Sequence, residues 1–353
     1  MNQLFMMTIL TAQISLLLLI LLSITTFHKI MCSNHTLVRC NEKDRETLLT
    51  FKQGINDSLG MISMWSTEND CCSWEGVHCD NITGRVTEID LKGQPFVDVY
   101  ESVKVLTGEM NLCILELEFL SYLDLSENYF HVIRIPSIQQ NITHSSKLVF
   151  LDLFNFGYTL HMDNLNWLSS LSSLKYLILS WIDLHKETDW FQIVATLPSL
   201  LDLQLSGCNL NNFPSVEYLN LSSLVTLDLS QNNFTSHLPD GFFNFTKDLT
   251  YLDLSENNIY GEIPSSMLNL QNMGYLDLSN NQLQGSIPDG IGQLPNIQYL
   301  HLSMNMLSGF IPSTLGNLSS LNFLSIGSNN FSGEISNLNF SKLSSLDSLY
   351  LSG

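Results

Sequence analysis

The cysteines are the residues whose type and spacing most directly suggest covalent chemistry in this chain of 353 residues. Four of the seven fall in one short region, at Cys40, Cys71, Cys72 and Cys79. The other three are isolated, at Cys32, Cys113 and Cys208. Clustered thiols can bind zinc, or they can form disulfides if the chain passes through an oxidising compartment. We expect disulfides, because other features of the sequence point to that compartment.

Glycosylation sequons and an N-terminal apolar run support the secretory pathway. The run Ile14–Ile24 has the length of a signal-peptide core and is shorter than the roughly 20 residues that span a membrane. We predict a signal peptide over 1–33, cleaved between about residues 25 and 34, with an uncleaved anchor as the alternative. The motif Asn-X-Ser/Thr predicts N-glycosylation at Asn34, Asn56, Asn81, Asn141, Asn220, Asn233, Asn244, Asn317, Asn330 and Asn339.

Catalytic and nucleic-acid chemistry find no support in the sequence. The formal net charge is −20, and a field of that sign repels a phosphate backbone. The chain contains no H-E-x-x-H, no phosphate-binding P-loop and no kinase signature. We therefore expect no enzyme activity, no catalytic residues, no cofactor and no metal.

A repeated motif predicts the fold. The pattern L-x-x-L-x-L-x-x-N-x-L/F recurs six times, at 120–130, 224–234, 249–259, 273–283, 297–307 and 321–331. Looser copies begin at Leu148, Leu174 and Leu200, and a cut copy begins at Leu346. This period and consensus are typical of leucine-rich repeats. We predict an α/β solenoid over 86–353, a right-handed superhelix of about ten repeats plus a cut one, with a parallel sheet on its concave face.

The ninth position of the motif is predicted to hold neighbouring coils together. Its asparagine can satisfy backbone groups of adjacent coils when it is buried in the turn. Six copies have it: Asn128, Asn232, Asn257, Asn281, Asn305 and Asn329. Phe156, Ile182 and Cys208 take that place in the looser copies. Cysteine is an accepted substitute, but the Phe and Ile predict local irregularity between about 148 and 190.

The segment 34–85 is predicted to form an N-terminal cap. Its residues 43–55 have the apolar spacing of an amphipathic helix, and the segment CCSWEGVHC follows at 71–79. Trp65 and Trp74 are suited to fill the open end of the first coil. No comparable C-terminal cap follows the cut copy, so we expect a C-terminally truncated chain.

Ligand binding is expected on the concave face. Outward positions of the strands carry aromatic and acidic side chains, which suit a basic peptide or a sugar-rich protein surface. The candidate ligand-binding residues are Tyr176, Trp181, Trp190, Tyr251, Asp253, Tyr275, Asp277, Tyr299, His301 and Met304. The alternative is that Y-L-D-L-S is only the consensus of the fold, with side chains packing on one another.

The cap and the L-x-G-x-I-P extension at 259–264, 283–288 and 307–312 resemble the ectodomains of plant leucine-rich-repeat receptor-like proteins and receptor kinases. The stretches 163–184 and 189–210 resemble, more narrowly, receptor-like proteins related to the fungal ethylene-inducing xylanase receptor. In similar caps the cysteines pair in order, which implies Cys40–Cys71 and Cys72–Cys79.

The resemblance implies an extracellular ligand-binding region of a cell-surface receptor-like protein, in defence perception or in signalling through a partner receptor kinase. Its ligand would be a protein or peptide, of microbial or cell-wall-related origin. The localisation implied is the extracellular face of the plasma membrane, reached through a segment missing from this chain, or otherwise the extracellular space. The alternative is a secreted inhibitor of cell-wall-degrading glycosidases, similar to polygalacturonase-inhibiting proteins.

Overall fold

Short strands form because the motif alternates inward and outward side chains. Leu252 and Leu254 are fully buried, while Tyr251, directly before Leu252, faces the opposite side and is half-buried. The computed structural model describes residues 39–94, 104–135, 147–156, 160–211, 213, 221–333 and 340–352. Among them the helices are α1 (Glu42–Lys52), α2 (Trp190–Val194) and α3 (Phe242–Phe245).

The strands, numbered along the chain, carry most of the regular structure. They are β1 (Ile55–Asn56), β2 (Val77–Cys79), β3 (Val86–Asp90), β4 (Thr107–Asn111), β5 (Tyr122–Asp124), β6 (Tyr129–Arg134), β7 (Phe150–Asp152), β8 (Tyr176–Ile178), β9 (Asp202–Gln204), β10 (Thr226–Asp228), β11 (Tyr251–Asp253), β12 (Tyr260–Gly261), β13 (Tyr275–Asp277), β14 (Gln282–Gly285), β15 (Tyr299–His301), β16 (Met306–Phe310), β17 (Phe323–Ser325), β18 (Asn330–Ser332) and β19 (Ser348–Tyr350). Short 3₁₀ turns such as Ser265–Asn269 and Asp289–Gln293 connect many of them on the opposite side of each coil.

One sheet of twelve strands runs along the solenoid and confirms the predicted concave sheet. Its order is β2-β3-β5-β7-β8-β9-β10-β11-β13-β15-β17-β19, and each strand from β3 onward pairs in parallel with the next. Only β2, from the cap, is antiparallel. Because every coil has the same register, Leu252 lies opposite Leu227 and Leu276, so equivalent side chains form columns.

A second parallel sheet includes the glycine of the L-x-G-x-I-P extension in its strands. Strands β12, β14, β16 and β18 form it in that order. Gly261 has a φ of +91°, and a Cβ built there would lie 2.5 Å from His237 Nδ1. The position therefore needs glycine both for its left-handed backbone and for the close approach of the neighbouring coil. A smaller sheet, β1-β4-β6, joins the cap to the first coils.

The asparagine ladder forms as predicted. Asn257 Nδ2 donates to the carbonyl of Leu229 in the preceding coil at 3.0 Å, and also to Leu254 and Ser255 of its own coil. Its Oδ1 accepts the N–H of Phe234 at 3.2 Å. The same bonding pattern recurs at Asn128, Asn232, Asn281, Asn305 and Asn329. Each amide thus satisfies backbone groups of two coils inside the core, where unpaired groups would be costly.

The expected irregularity between 148 and 190 is wrong for the sheet. Strands β7 and β8 keep parallel register with their neighbours. Asn155, one position before Phe156, is buried and bonds the backbone N–H and carbonyl of Phe130 in the preceding coil. Cys208 Sγ takes over the donor role of the asparagine amide, with Leu179 O at 3.3 Å. In this region Asn155 and Cys208 therefore bond each coil to the preceding one, which the motif alone does not show.

The cap is built from α1 and two disulfides. Helix α1 begins after Asn41, whose side chain accepts the N–H groups of Lys43 and Asp44, and it ends at Lys52 instead of the predicted 55 because β1 begins there. Disulfides link Cys40 to Cys71 and Cys72 to Cys79, as the resemblance implied.

The cap is joined to the first coil by buried contacts. Trp65 and Trp74 are buried and stack at 5.2 Å between ring centroids, as the cap prediction required. Asp44 is also buried, and its Oδ2 accepts from Arg85 Nε and from the N–H of Val86, each at 2.9 Å. Because a buried carboxylate needs such partners, this ion pair fixes α1 against β3.

Across the part of the chain that the structure describes, no helix has the length and apolar character to cross a bilayer. The apolar run Ile14–Ile24 and the predicted signal peptide over 1–33 lie outside the described residues.

Candidate functional site: the concave face

The concave face presents an aromatic column at the third position of successive coils. Tyr251, Tyr275, Tyr299 and Phe323 stack with ring centroids 4.2–4.3 Å apart and planes within 9° of parallel. Strand pairing at about 4.8 Å brings the rings to this spacing. Because Tyr275 has a ring on each side, its two faces are covered, and only edges and hydroxyl groups remain for a ligand.

A second aromatic group lies nearer the cap. Tyr122 stacks on Phe150 at 4.4 Å, and Tyr176 follows at 5.9 Å with its plane tilted by 42°. Tyr176 is 37% exposed, the largest value among the aromatic candidates of the sheet. Asp202 and Thr226 occupy the equivalent position in the next two coils and separate the two groups.

The aspartates at the fifth position are less available than the sequence suggested. Asp253 and Asp277 face the concave side, but they are only 9% and 6% exposed. The Oδ1 of Asp253 accepts the N–H and Oγ–H of Ser255, at 2.9 and 2.6 Å. Burial raises the pKa of Asp253 to about 6. One oxygen of each carboxyl is therefore used to hold the turn after the strand.

His301 stands at the fifth position of its coil and joins the aspartate column. Its Nδ1 lies 2.9 Å from Asp277 Oδ2 and its Nε2 lies 2.7 Å from Ser303 Oγ. Its ring packs edge-on against Tyr299 and Phe323. The structure thus brings together three predicted site residues, His301, Asp277 and Tyr299.

Trp181 and Met304 both occupy the eighth position, where the backbone is left-handed. Their φ values are +65° and +55°, and Glu127, Gln231 and Glu256 share this conformation in other coils. The turn directs this position to the rim of the sheet, where Met304 is 58% exposed. The Trp181 ring lies over Gly207, since a Cβ built on that glycine would come within 2.9 Å of it.

Trp190 is a correction to the predicted site. It is only 2% exposed, begins α2 on the side of the coil away from the sheet, and packs edge-on against Phe191 and near Phe234. It is a core residue, because α2 turns its apolar side chains into the solenoid. The period of the motif does not extend to this connection, so the sequence did not show whether the Trp190 side chain points into the core or to the surface.

A depression of about 310 Å³ on the concave face was missed by the sequence analysis. Its floor is formed where the aspartate column is interrupted by Ile178 and Gln204, between Asp152 and Asp228. Lys92 lies at its rim. The rest of the rim is formed by side chains from the seventh and eighth positions of the repeat motif: Ser126, Glu127, Phe154, Ser180, Trp181 and Ser206. The replaced aspartates were the signal in the sequence that could have located it.

A larger cavity, of about 500 Å³, lies among the connections and contains none of the predicted ligand-binding residues. Polar side chains from two coils line it, including Asp163, Asn166, Lys186, Glu187 and Gln192. An ion pair of 2.8 Å between Lys186 and Asp163 lies in this cavity.

Metal binding at the cysteine cluster is not available. Within the described ranges, the group of residues close enough to share an ion is Cys40, Cys71 and Cys72, and all three are in disulfides. The zinc interpretation left open by the sequence is therefore replaced by the disulfide one.

Six predicted glycosylation sites are exposed: Asn56, Asn81, Asn233, Asn244, Asn317 and Asn330. The sites at Asn34, Asn141, Asn220 and Asn339 lie outside the described residues. Glycosylation at all of them stays a prediction.

Comparison with known proteins agrees with this architecture. Residues 41–80 match the Leucine rich repeat N-terminal domain, and residues 222–283 and 296–318 match Leucine rich repeat families. Together with the twelve-stranded sheet and the disulfide-bonded cap, these matches define the chain as a leucine-rich-repeat solenoid of the kind found in plant receptor ectodomains.

Among its relatives is Receptor-like protein EIX1 of Solanum lycopersicum, which is 38% identical over 241 residues. That match covers 60% of this chain and 23% of the relative, so the chain spans about a quarter of the length of that protein. The ectodomain of the Arabidopsis receptor kinase HAESA, in complex with an extended IDA peptide hormone, has a TM-score of 0.71 at 28% identity.

That alignment with HAESA covers 88% of this chain and 49% of the ectodomain. A complex of HAESA with IDA and the co-receptor SERK1 gives a TM-score of 0.64 at 26% identity, covering 88% and 49%. EIX1 and HAESA are receptors, and this does not favour the glycosidase-inhibitor alternative.

Proposed function

We propose that this chain is the extracellular ligand-binding region of a plant cell-surface receptor-like protein, in defence perception, that signals through a partner receptor kinase. The observation that carries the proposal is the uninterrupted concave sheet behind a disulfide-bonded cap. Twelve strands spaced at about 4.8 Å give a surface roughly 50 Å long. An extended peptide of about 15 residues has that length.

A peptide or protein fits the face better than a sugar does. Sugar rings bind well to open aromatic faces, but the stacked column covers the faces of Tyr275 and Tyr299 with neighbouring rings. What remains is a row of hydroxyl groups and ring edges beside partly buried carboxyls. Such a row suits a backbone with polar and basic side chains, and the structurally similar HAESA binds a peptide hormone.

The same surface supports a binding role and not catalysis. The carboxyls of Asp253 and Asp277 are engaged with the serines two residues further on, and His301 bonds Asp277 and Ser303. These contacts fix a rigid surface, which lowers the entropic cost of binding an extended ligand. The exposed sequons and the disulfides support an extracellular location.

The test is a selection of displayed random peptides on the full chain secreted from plant cells. We expect binders that lose affinity with Tyr275→Ala, which opens the aromatic column, and keep it with Tyr260→Ala on the second sheet, where Tyr260 is exposed. Binders insensitive to Tyr275→Ala would contradict the proposal. Inhibition of a panel of fungal polygalacturonases by the purified chain would instead favour the inhibitor alternative.

A further inference from the structure

The depression between Asp152 and Asp228 departs from the regular concave face in a way that gives it its own chemistry. In the coils on either side, the fifth position is an aspartate, but here it is Ile178 and then Gln204. Loss of two carboxyls leaves an uncharged floor of Ile178 and Gln204 between two acidic ends. Since three strand spacings of about 4.8 Å separate Asp152 from Asp228, the carboxyls lie too far apart to share one ion.

At the Asp152 end of the depression, a carboxylate lies beside aromatic side chains. Asp152 Oδ1 accepts the N–H of Phe154 at 2.9 Å, which leaves Oδ2 without a hydrogen-bond donor among the described residues. Phe154 and Trp181 form part of the same rim. The side chains therefore present one carboxylate oxygen beside two aromatic rings.

Ser126 supplies an independent indication of a ligand. The residue is 2% exposed and lines the depression, yet its Oγ has no hydrogen-bond partner among the residues that the structure describes. A buried hydroxyl without a partner is unfavourable unless something else bonds it. Its place on the rim, one coil from Asp152, makes a bound polar group the natural partner.

The charges of the depression favour a cation. Lys92 is already paired with Glu127 at 2.8 Å. The lining then retains Asp152 and Asp228 as acidic groups with no basic side chain left over. A divalent metal prefers six or more oxygen ligands, and this lining does not gather them around one point.

We propose that this depression binds the guanidinium group of an arginine in a peptide ligand, held by Asp152 and Ser126 and stacked on Trp181. A guanidinium is planar, carries five N–H donors and stacks on aromatic rings, so it matches a carboxylate, a hydroxyl and an indole together. The apolar stem of the arginine finds Ile178 on the floor. The proposal rests on the proposed function, and it names the chemistry that the ligand must carry.

Titration of Asp152 gives the site a second signature. Burial is the main cause that raises the pKa of this carboxyl to about 7; the charges of Asp124 and Glu127 act in the same direction, while the Phe154 N–H and Lys92 act in the opposite one. A bound cation favours the ionised form. Affinity should therefore fall as the pH decreases through about 7, whereas the arginine itself stays charged.

The test uses the full secreted chain and a small probe, N-acetyl-arginine methylamide, with the citrulline analogue as a neutral control of the same shape. Binding is followed by tryptophan fluorescence and by saturation-transfer NMR. We expect millimolar affinity for the arginine probe and at least about tenfold weaker binding of the citrulline probe. Asp152→Asn should weaken arginine binding at least about tenfold and remove its pH dependence, while Asp289→Asn, on an exposed connection outside the depression, should not.

Ser126→Ala provides a variant whose fold is not at risk, because it removes a hydroxyl that has no partner. We expect it to weaken arginine binding without lowering the melting temperature. Equal binding of both probes, no saturation at tens of millimolar, or insensitivity to Asp152→Asn and Ser126→Ala would overturn the proposal. So would calcium binding that depends on Asp152 and excludes the arginine probe.

The two tests fail in different ways. Absence of arginine binding leaves the peptide selection on the rest of the concave face untouched. Failure of the peptide selection together with specific arginine binding would leave a cation site and remove the receptor function.

Discussion

Neighbouring asparagines in one coil have different structural roles. Asn257 is buried, donates to three carbonyls and accepts one N–H across two coils. Asn258, the next residue, donates to Asn233 Oδ1 on the surface at 2.9 Å. The burial and the number of backbone partners, and not the residue type, decide what the amide contributes to stability.

We predict that Asn257→Ala lowers the free energy of unfolding by about 2 kcal/mol or more, because several buried backbone groups lose their partner. Asn258→Ala, the matched control, should cost less than about 0.5 kcal/mol. Urea unfolding followed by circular dichroism measures both. Equal effects at the two positions would show that the ladder does not hold the coils together.

Asp152 should make stability depend on pH. Its folded-state pKa, about 7, lies above the ordinary value of 3.8, so the proton is held more tightly in the folded state. The stabilisation is fully present below about pH 4 and is lost as the pH rises through about 7.

We therefore predict that Asp152→Asn raises the free energy of unfolding at pH 8 by about 1.4 kcal/mol or more, the equivalent of one pKa unit. The gain should shrink as the pH is lowered towards 4, where the wild-type carboxyl is also neutral. The control is Asp80→Asn, because hydrogen bonds from Thr83 lower the pKa of that exposed carboxyl. Thermal melts across this pH range measure the effect, and a gain that is independent of pH would contradict it.

At the residue scale, the sequence was informative where the motif repeats and uninformative where it does not. The position of Tyr251, Tyr275 and Tyr299 on the concave face follows from strand alternation, and the structure places them there. Trp190 was assigned to the same face, but it lies in α2, and no periodicity spans that connection. The grouping of Ser126 and Asp152 around one depression depends on how neighbouring coils stack, which a linear motif does not specify.

At the scale of elements, the parallel strands and the cap were predictable because each is encoded locally. Leucines at fixed spacing specify the strand, and the glycine of L-x-G-x-I-P supplies the left-handed backbone conformation within the strands of the second sheet. The continuity of β7 and β8 was not predictable, because it depends on Asn155 and Cys208 substituting for the ladder asparagine. Such substitution is visible only after the coils are stacked.

The cap disulfides should be required for a stable N-terminal end. We predict that Cys72→Ser lowers the free energy of unfolding by about 2–3 kcal/mol, because the closed loop between Cys72 and Cys79 is short. Secreted yield should fall with it. Cys113→Ser is the control, since Cys113 is not disulfide-bonded. A non-reduced digest analysed by mass spectrometry checks the pairing, and free thiols at Cys71 and Cys79 would refute it.

At the scale of the whole molecule, the solenoid places its chemistry in columns. Every parallel strand of the concave sheet repeats the same register, so a single replaced side chain interrupts a column and creates local specificity. The aromatic column ends at Asp202 and Thr226, and the acidic column is interrupted at Ile178 and Gln204. An extended ligand lying across the strands would contact both interruptions. These contacts would fix the direction in which the ligand lies and its register along the face.

The proposed function requires that ligands bind across the concave sheet. Hydrogen–deuterium exchange of the secreted chain, with and without a peptide from the selection, tests it most directly. We predict slower exchange in segments that contain β8, β11, β13 and β15, and unchanged exchange in the second sheet of β12, β14, β16 and β18. Protection confined to the second sheet, or to the connections around α2, would contradict it.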